Sequence, residues 1–206
     1  MLGCLRKVIK TVIIIFAIIG FAAVGGFNLI KEQWNIHFGN KQENKVEKAE
    51  KIADFSKING EFEIVSTGSI PFTGDYVYAK HTASEQKFLF FNPKNQKTLT
   101  QEDFYGEQTT VVSKINDFVN KFNILGFKFE NFKTTGKGSL HALNQNIPFV
   151  KFQADISNLP IKGTQGIIGA IKIKNEKNAI LIVFNTQGKY SQIITSVFLS
   201  EVQISK

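Results

Sequence analysis

The chain has 206 residues, is 43% hydrophobic with twenty phenylalanines, and carries a formal charge of +8, so it has the mass for a buried core and is not a disordered polyelectrolyte. Its single cysteine excludes a disulfide-built scaffold. Arg6 is the only arginine, so the basic charge lacks the residue best suited to bidentate contact with phosphates and base edges, and nucleic acid is not an expected partner.

Residues 1–10 form a basic head containing Arg6, Lys7 and Lys10. Thr11 to Ile30 then runs for twenty residues without a charge, and twelve of them are Val, Ile, Leu or Phe. As a helix this run spans about 30 Å, the thickness of a bilayer's hydrocarbon core. Its apolar residues favour insertion by on the order of 5 kcal/mol. The competing reading is a signal peptide cleaved near Ala23-Val24-Gly25. An h-region usually covers only about 7–15 residues, whereas this run continues through Phe27, Leu29 and Ile30. Trp34 and Phe38 follow at the position of an interfacial aromatic belt.

The expectation is a retained transmembrane helix at 11–30, with the lipid bilayer as its partner. Basic residues flank only its N-terminal side, while Lys31 is paired with Glu32 beyond it. The N-terminus is therefore expected in the cytoplasm, and residues 31–206 outside the cytoplasmic membrane, in a periplasmic or extracellular space. Cys4 lies in the inner head and precedes the apolar run, so it is not a lipoprotein cysteine.

Beyond residue 30, 22 lysines face 17 acidic residues, leaving +5. These lysines are interleaved with Glu, Asp and Asn. The joint excess of Lys, Ile, Asn and Phe is what A/T-rich codons produce, which points to a bacterium with an AT-rich genome. No Asn-x-Ser/Thr sequon suggests a glycosylated ectodomain.

Residues 31–58 read as a juxtamembrane helical spacer. Lys41–Lys57 is charged, free of Gly and Pro, and carries a thin apolar stripe of Val46, Ala49, Ile52, Ala53 and Phe55. Asn59-Gly60 breaks the pattern, and residues 59–206 read as one domain. Glu61–Ile64 alternates as a strand. Tyr76–Lys80 and Lys87–Phe91 pair as a hairpin across His81–Gln86. Val111, Ile115, Phe118, Val119 and Phe122 mark one face of a helix.

Three strand-like runs follow, Phe127–Thr134, Gly138–Leu143 and Ile147–Ile156, with turns expected at Gly136-Lys137-Gly138 and Asn144-Gln145-Asn146. Gly166–Lys174 and Ala179–Asn185 form a further hairpin. The unbroken apolar run Ala179–Phe184 belongs in the middle of a sheet. Lys189–Val202 places Tyr190, Ile193, Ile194, Val197 and Phe198 at helical spacing. The expected fold class is α+β: after the membrane helix, one domain with a mainly antiparallel sheet of six to seven strands packed by two helices.

No motif assigns a catalytic, cofactor-binding or metal residue. Gly136-Lys137-Gly138-Ser139 fails as a phosphate loop, because Asn131 stands where its first glycine belongs and Gly138 where Ser or Thr must follow the lysine. Gly163, Gly166 and Gly169 lack the spacing of a dinucleotide fingerprint. His37, His81 and His141 have no ligand partners at metal spacing. Ser139 with His141 lacks a nucleophile elbow. Tyr76, Tyr78, Phe88 and Phe90 read as packing, with a ligand cleft as the alternative.

The order of elements, and above all the C-terminal NAILIVFNTQGKYSQIITSVFLSEV, is similar in topology to the PsbP-like accessory fold. The chain also resembles bacterial single-pass proteins with a short basic head and one outer α+β domain. The likeness covers roughly residues 59–206, and no family motif matches residue by residue, so no site is carried over. The resemblance implies an accessory or assembly role that needs no catalysis. The resulting expectation is a non-enzymatic domain that binds or scaffolds an envelope protein or a small ligand. The alternatives are a tethered envelope enzyme and a small-ligand or lipid-binding module, each with a site assembled only in three dimensions.

Overall fold

The computed structural model describes residues 42–70, 74–94, 99–121, 128–157, 162–173, 177–186 and 189–204. The expected basic head, membrane helix at 11–30 and the segment up to residue 41 lie outside the described residues. Among the described ones, no helix is long and apolar enough to cross a membrane.

From Gln42 onward the chain is an α+β domain built on a seven-stranded antiparallel sheet. Helix α1 (Gln42–Ala49) leads into β1 (Phe62–Ile70), β2 (Gly74–His81) and β3 (Gln86–Pro93). Then come α2 (Gln101–Tyr105), α3 (Gln108–Lys121), β4 (Phe129–Ala142), β5 (Gln145–Ile156), β6 (Thr164–Lys172), β7 (Asn178–Asn185) and α4 (Gln192–Glu201). The order across the sheet is β1-β2-β3-β7-β6-β5-β4. The apolar run expected at the centre is therefore the middle strand, β7, whose side chains alternate into two separate cores.

Ala179, Leu181 and Val183 face one core, while Ile180, Ile182 and Phe184 face the other. The first core is closed by α1, the stretch 50–58 and α4, through Ala49, Ile52, Phe55, Phe198 and Leu199. The second is closed by α2 and α3, through Phe104, Val111, Ile115 and Val119. The sheet is thus sandwiched between helices on both faces. Two helices were expected from the sequence, and four are present among the described residues. A sheet buried on both faces needs cover on each side.

The helix expected over Lys41–Lys57 ends at Ala49. On a straight helix Phe55, six residues after Ala49, would fall off the stripe that Ala49, Ile52 and Ala53 share. The chain turns instead and places all four in the core. Asp54 and Gln203 exchange backbone hydrogen bonds of 2.6 and 2.9 Å, which pin this stretch to the end of α4.

Gly136-Lys137-Gly138 is not a turn. Residues 129–142 form one strand, interrupted by register shifts at Glu130/Lys133 and Thr134/Gly136. Gly138 is required by close approach: a Cβ there would lie 2.6 Å from the Phe149 ring. The hairpin turn falls at Leu143-Asn144, both at positive φ (54° and 56°), the two-residue geometry that matches strand twist.

In α4, Thr195, Phe198 and Leu199 are the buried residues, while Ile193 is 77% exposed and Val197 also faces solvent. The cause is Gln86. Its fully buried amide accepts from Ser191 N–H at 2.8 Å and donates to Ser191 C=O and Thr195 Oγ1, both at 3.0 Å. Satisfying this buried amide turns Thr195 inward and fixes the phase of the helix. Phe198 then stacks on Phe88 with ring centroids 4.1 Å apart.

Candidate functional site

Antiparallel register decides which side chains share a face. Tyr76 pairs with Phe91, Tyr78 with Leu89, Val77 with Phe90, and Ala79 with Phe88. Phe88 and Phe90 therefore enter the α1/α4 core and are fully buried. Tyr76 and Tyr78 point to the opposite face and are only partly buried. The four aromatics do not line one cleft. The two tyrosines instead belong to a different surface, on the β1–β2–β3 part of the α2/α3 face.

That surface has a definable floor. Going along β2, Tyr76, Tyr78 and Lys80 share the face, spaced about 7 Å apart as alternate residues of a strand. Cross-strand neighbours on β1 are Gly68 opposite Tyr76, Ser66 opposite Tyr78 and Glu63 opposite Lys80. The Tyr76 ring lies over Gly68, where a Cβ would be 3.4 Å from it. On β3, Lys87 stands directly opposite Lys80. Ser66, Gly68, Tyr76, Tyr78, Lys80 and Lys87 are all half-buried. The remainder of this face, over β7, β6 and β5, is sealed with apolar side chains.

The electrostatics at one end of the floor are paired. Glu85, in the β2–β3 loop, places Oε2 3.3 Å from Lys87 Nζ and Oε1 3.8 Å from Lys80 Nζ. Glu63 Oε2 lies 3.5 Å from Lys80 Nζ. Burial pushes the Tyr78 phenol above its ordinary value, and the Glu85 carboxylate adds to the shift, so Tyr78 keeps its proton. The floor carries two tyrosines, a serine and two lysines.

The histidines do not come together. His37 lies outside the described residues. His81 sits on the opposite face of β2, against the Phe62 ring at 5.1 Å, and its Nδ1 is 2.8 Å from Ser84 Oγ. Ser84 N–H also donates to that nitrogen, which leaves the ring proton on Nε2. His141 is on β4, five strand positions away across the sheet, or about 24 Å, and its Nδ1 meets Asn146 Oδ1 at 3.1 Å. Among the described residues no group of three or more His, Cys, Asp or Glu is placed to hold a metal ion.

The periodic glycines have a packing cause. A Cβ on Gly166 would lie 2.2 Å from the Val183 carbonyl and 2.7 Å from the Phe152 ring. Sequence reasoning named both tyrosines but missed Lys80, Lys87 and Glu85 as their companions. The available signal was the alternation Tyr76-x-Tyr78-x-Lys80, which sets three polar-tipped side chains on one face.

No protein-family model matches the chain, and no curated protein is found to be similar to it.

Proposed function

We propose that this is a single-pass membrane protein whose domain binds an envelope component outside the cytoplasmic membrane, without catalysis. The tether is the uncharged run 11–30 behind a basic head, and the binding surface is the floor centred on Tyr76 and Tyr78. One observation carries the reading of that surface. Six neighbouring residues, on a face whose β7, β6 and β5 portion is sealed by apolar packing, are half-buried and bring together two tyrosines, a serine and two lysines. Binding sites combine apolar area with a few placed polar groups in this way.

An antiparallel sheet packed by helices on both faces keeps such a floor rigid, which suits recognition or scaffolding. Topology reporters fused after residue 40 and after Lys206 test the tether. External signals at both positions are expected, and cytoplasmic signals at both would overturn the proposal.

A further inference from the structure

Lys80 and Lys87 are directly opposed across β2 and β3 and point to the same face. Like charges so placed repel and destabilise the strand pair. The Lys87 side chain is 13% exposed, and its ammonium group meets an anion at 3.3 Å. The chain supplies one from an unfavourable place. Glu85 has φ +56°, in the left-handed region that disfavours residues with a Cβ and that hairpin loops usually give to Gly or Asn. From there its carboxylate reaches both ammonium groups, one oxygen towards each. Glu85 is 35% exposed and sits at the mouth of the floor, so its side chain can turn to water without moving the strands.

We propose that the Lys80–Lys87 pair is a carboxylate-binding site, occupied by Glu85 in the free chain and yielded to the carboxylate of a ligand that lies along Tyr78 and Tyr76. Lys87 is the inner contact and Lys80, shared with Glu63, the outer one. The inference rests on the reading of this face as a binding surface.

Calorimetric titration of the full-length chain with acetate, at constant ionic strength set by chloride, tests it. Glu85→Gly removes the internal carboxylate and suits the left-handed backbone. It is expected to bind acetate about tenfold or more tightly than the parent chain, the effect of about 1.4 kcal/mol of relieved competition. Adding Lys87→Met to Glu85→Gly is expected to abolish that binding. If Glu85→Gly does not fold, Glu85→Asn, which tolerates the same φ, takes its place.

A blocked pentapeptide with one glutamate side chain distinguishes the sources. Affinity equal to that of acetate points to a small free carboxylate, and affinity at least about tenfold higher points to an acidic segment of a partner protein. Acetate binding that is no tighter without Glu85, or that survives Lys87→Met, overturns the proposal. Such a failure, with ligand still captured from Tyr76, would remove the carboxylate and leave the binding face in place.

Discussion

Replacing Gln86 by alanine tests the most consequential buried polar contact in the domain. The Gln86 amide makes three hydrogen bonds to the start of α4, at 2.8, 3.0 and 3.0 Å. Truncation leaves the Ser191 N–H without its acceptor. Ser191 C=O and Thr195 Oγ1 keep each other, because Thr195 also donates to that carbonyl at 3.0 Å. An unsatisfied buried donor costs about 1–3 kcal/mol. The cavity left by the amide and two methylenes adds about 1 kcal/mol. The sum, about 3 kcal/mol, corresponds to a fall of about 6–12 °C in Tm for a domain of this size.

Chemical denaturation of the full-length chain followed by circular dichroism reads the loss directly. Gln153 occupies the same lateral row, reached through Asn185 and Gln165, but is exposed. Gln153→Ala is therefore expected to change stability by less than about 0.5 kcal/mol. In a double-mutant cycle Gln86→Ala and Thr195→Val should couple by at least about 0.5 kcal/mol. A Gln86→Ala cost under about 1 kcal/mol, or simple additivity with Thr195→Val, would refute the claim that this amide sets the phase of α4.

Phe198→Ala removes the ring stacked on Phe88 and touching Phe55 and Phe62, and should cost about 3–5 kcal/mol by the same denaturation assay. Ile193→Ser, on the solvent side of the same helix, should stay within about 0.5 kcal/mol. Gly166→Ala drives a Cβ into the Val183 carbonyl and should cost about 3 kcal/mol or more, or prevent folding, read by soluble yield and thermal melting. Tyr78 has a raised pKa in the folded chain, so its contribution to stability is complete below the unfolded value near 10 and is lost as pH rises above it. An absorbance titration of the parent chain minus Tyr78→Phe should show one phenol ionising above pH 10, and Tyr78→Phe should soften the alkaline loss of stability.

Period-two and period-3.6 patterns were legible wherever packing alone decides orientation. The central strand β7 and the face of α3 through Val111, Ile115 and Val119 follow directly from the sequence. Other features depend on partners far along the chain. The phase of α4 follows from Gln86, over a hundred residues earlier, and so the apolar spacing of Ile193 and Val197 misleads. The glycines at 136 and 138 look like a turn until Phe149 is seen to need the space over Gly138. Tyr76, Tyr78, Phe88 and Phe90 all obey strand alternation. Whether the two pairs share a face is decided by the hairpin register, and pairing Lys80 with Lys87 sets them on opposite faces. The ends of the expected hairpin already set Lys80 opposite Lys87, while the reach of Glu85 to both depends on its positive-φ place in the loop.

The most direct test of a tethered binding domain compares its two faces in native membranes. A photo-reactive residue placed at position 76 reports on the tyrosine floor, and one at position 153 reports on the exposed polar side of β5. A discrete crosslinked envelope component is expected from position 76 and none from position 153. Equal capture from both positions, or none from position 76, would contradict it.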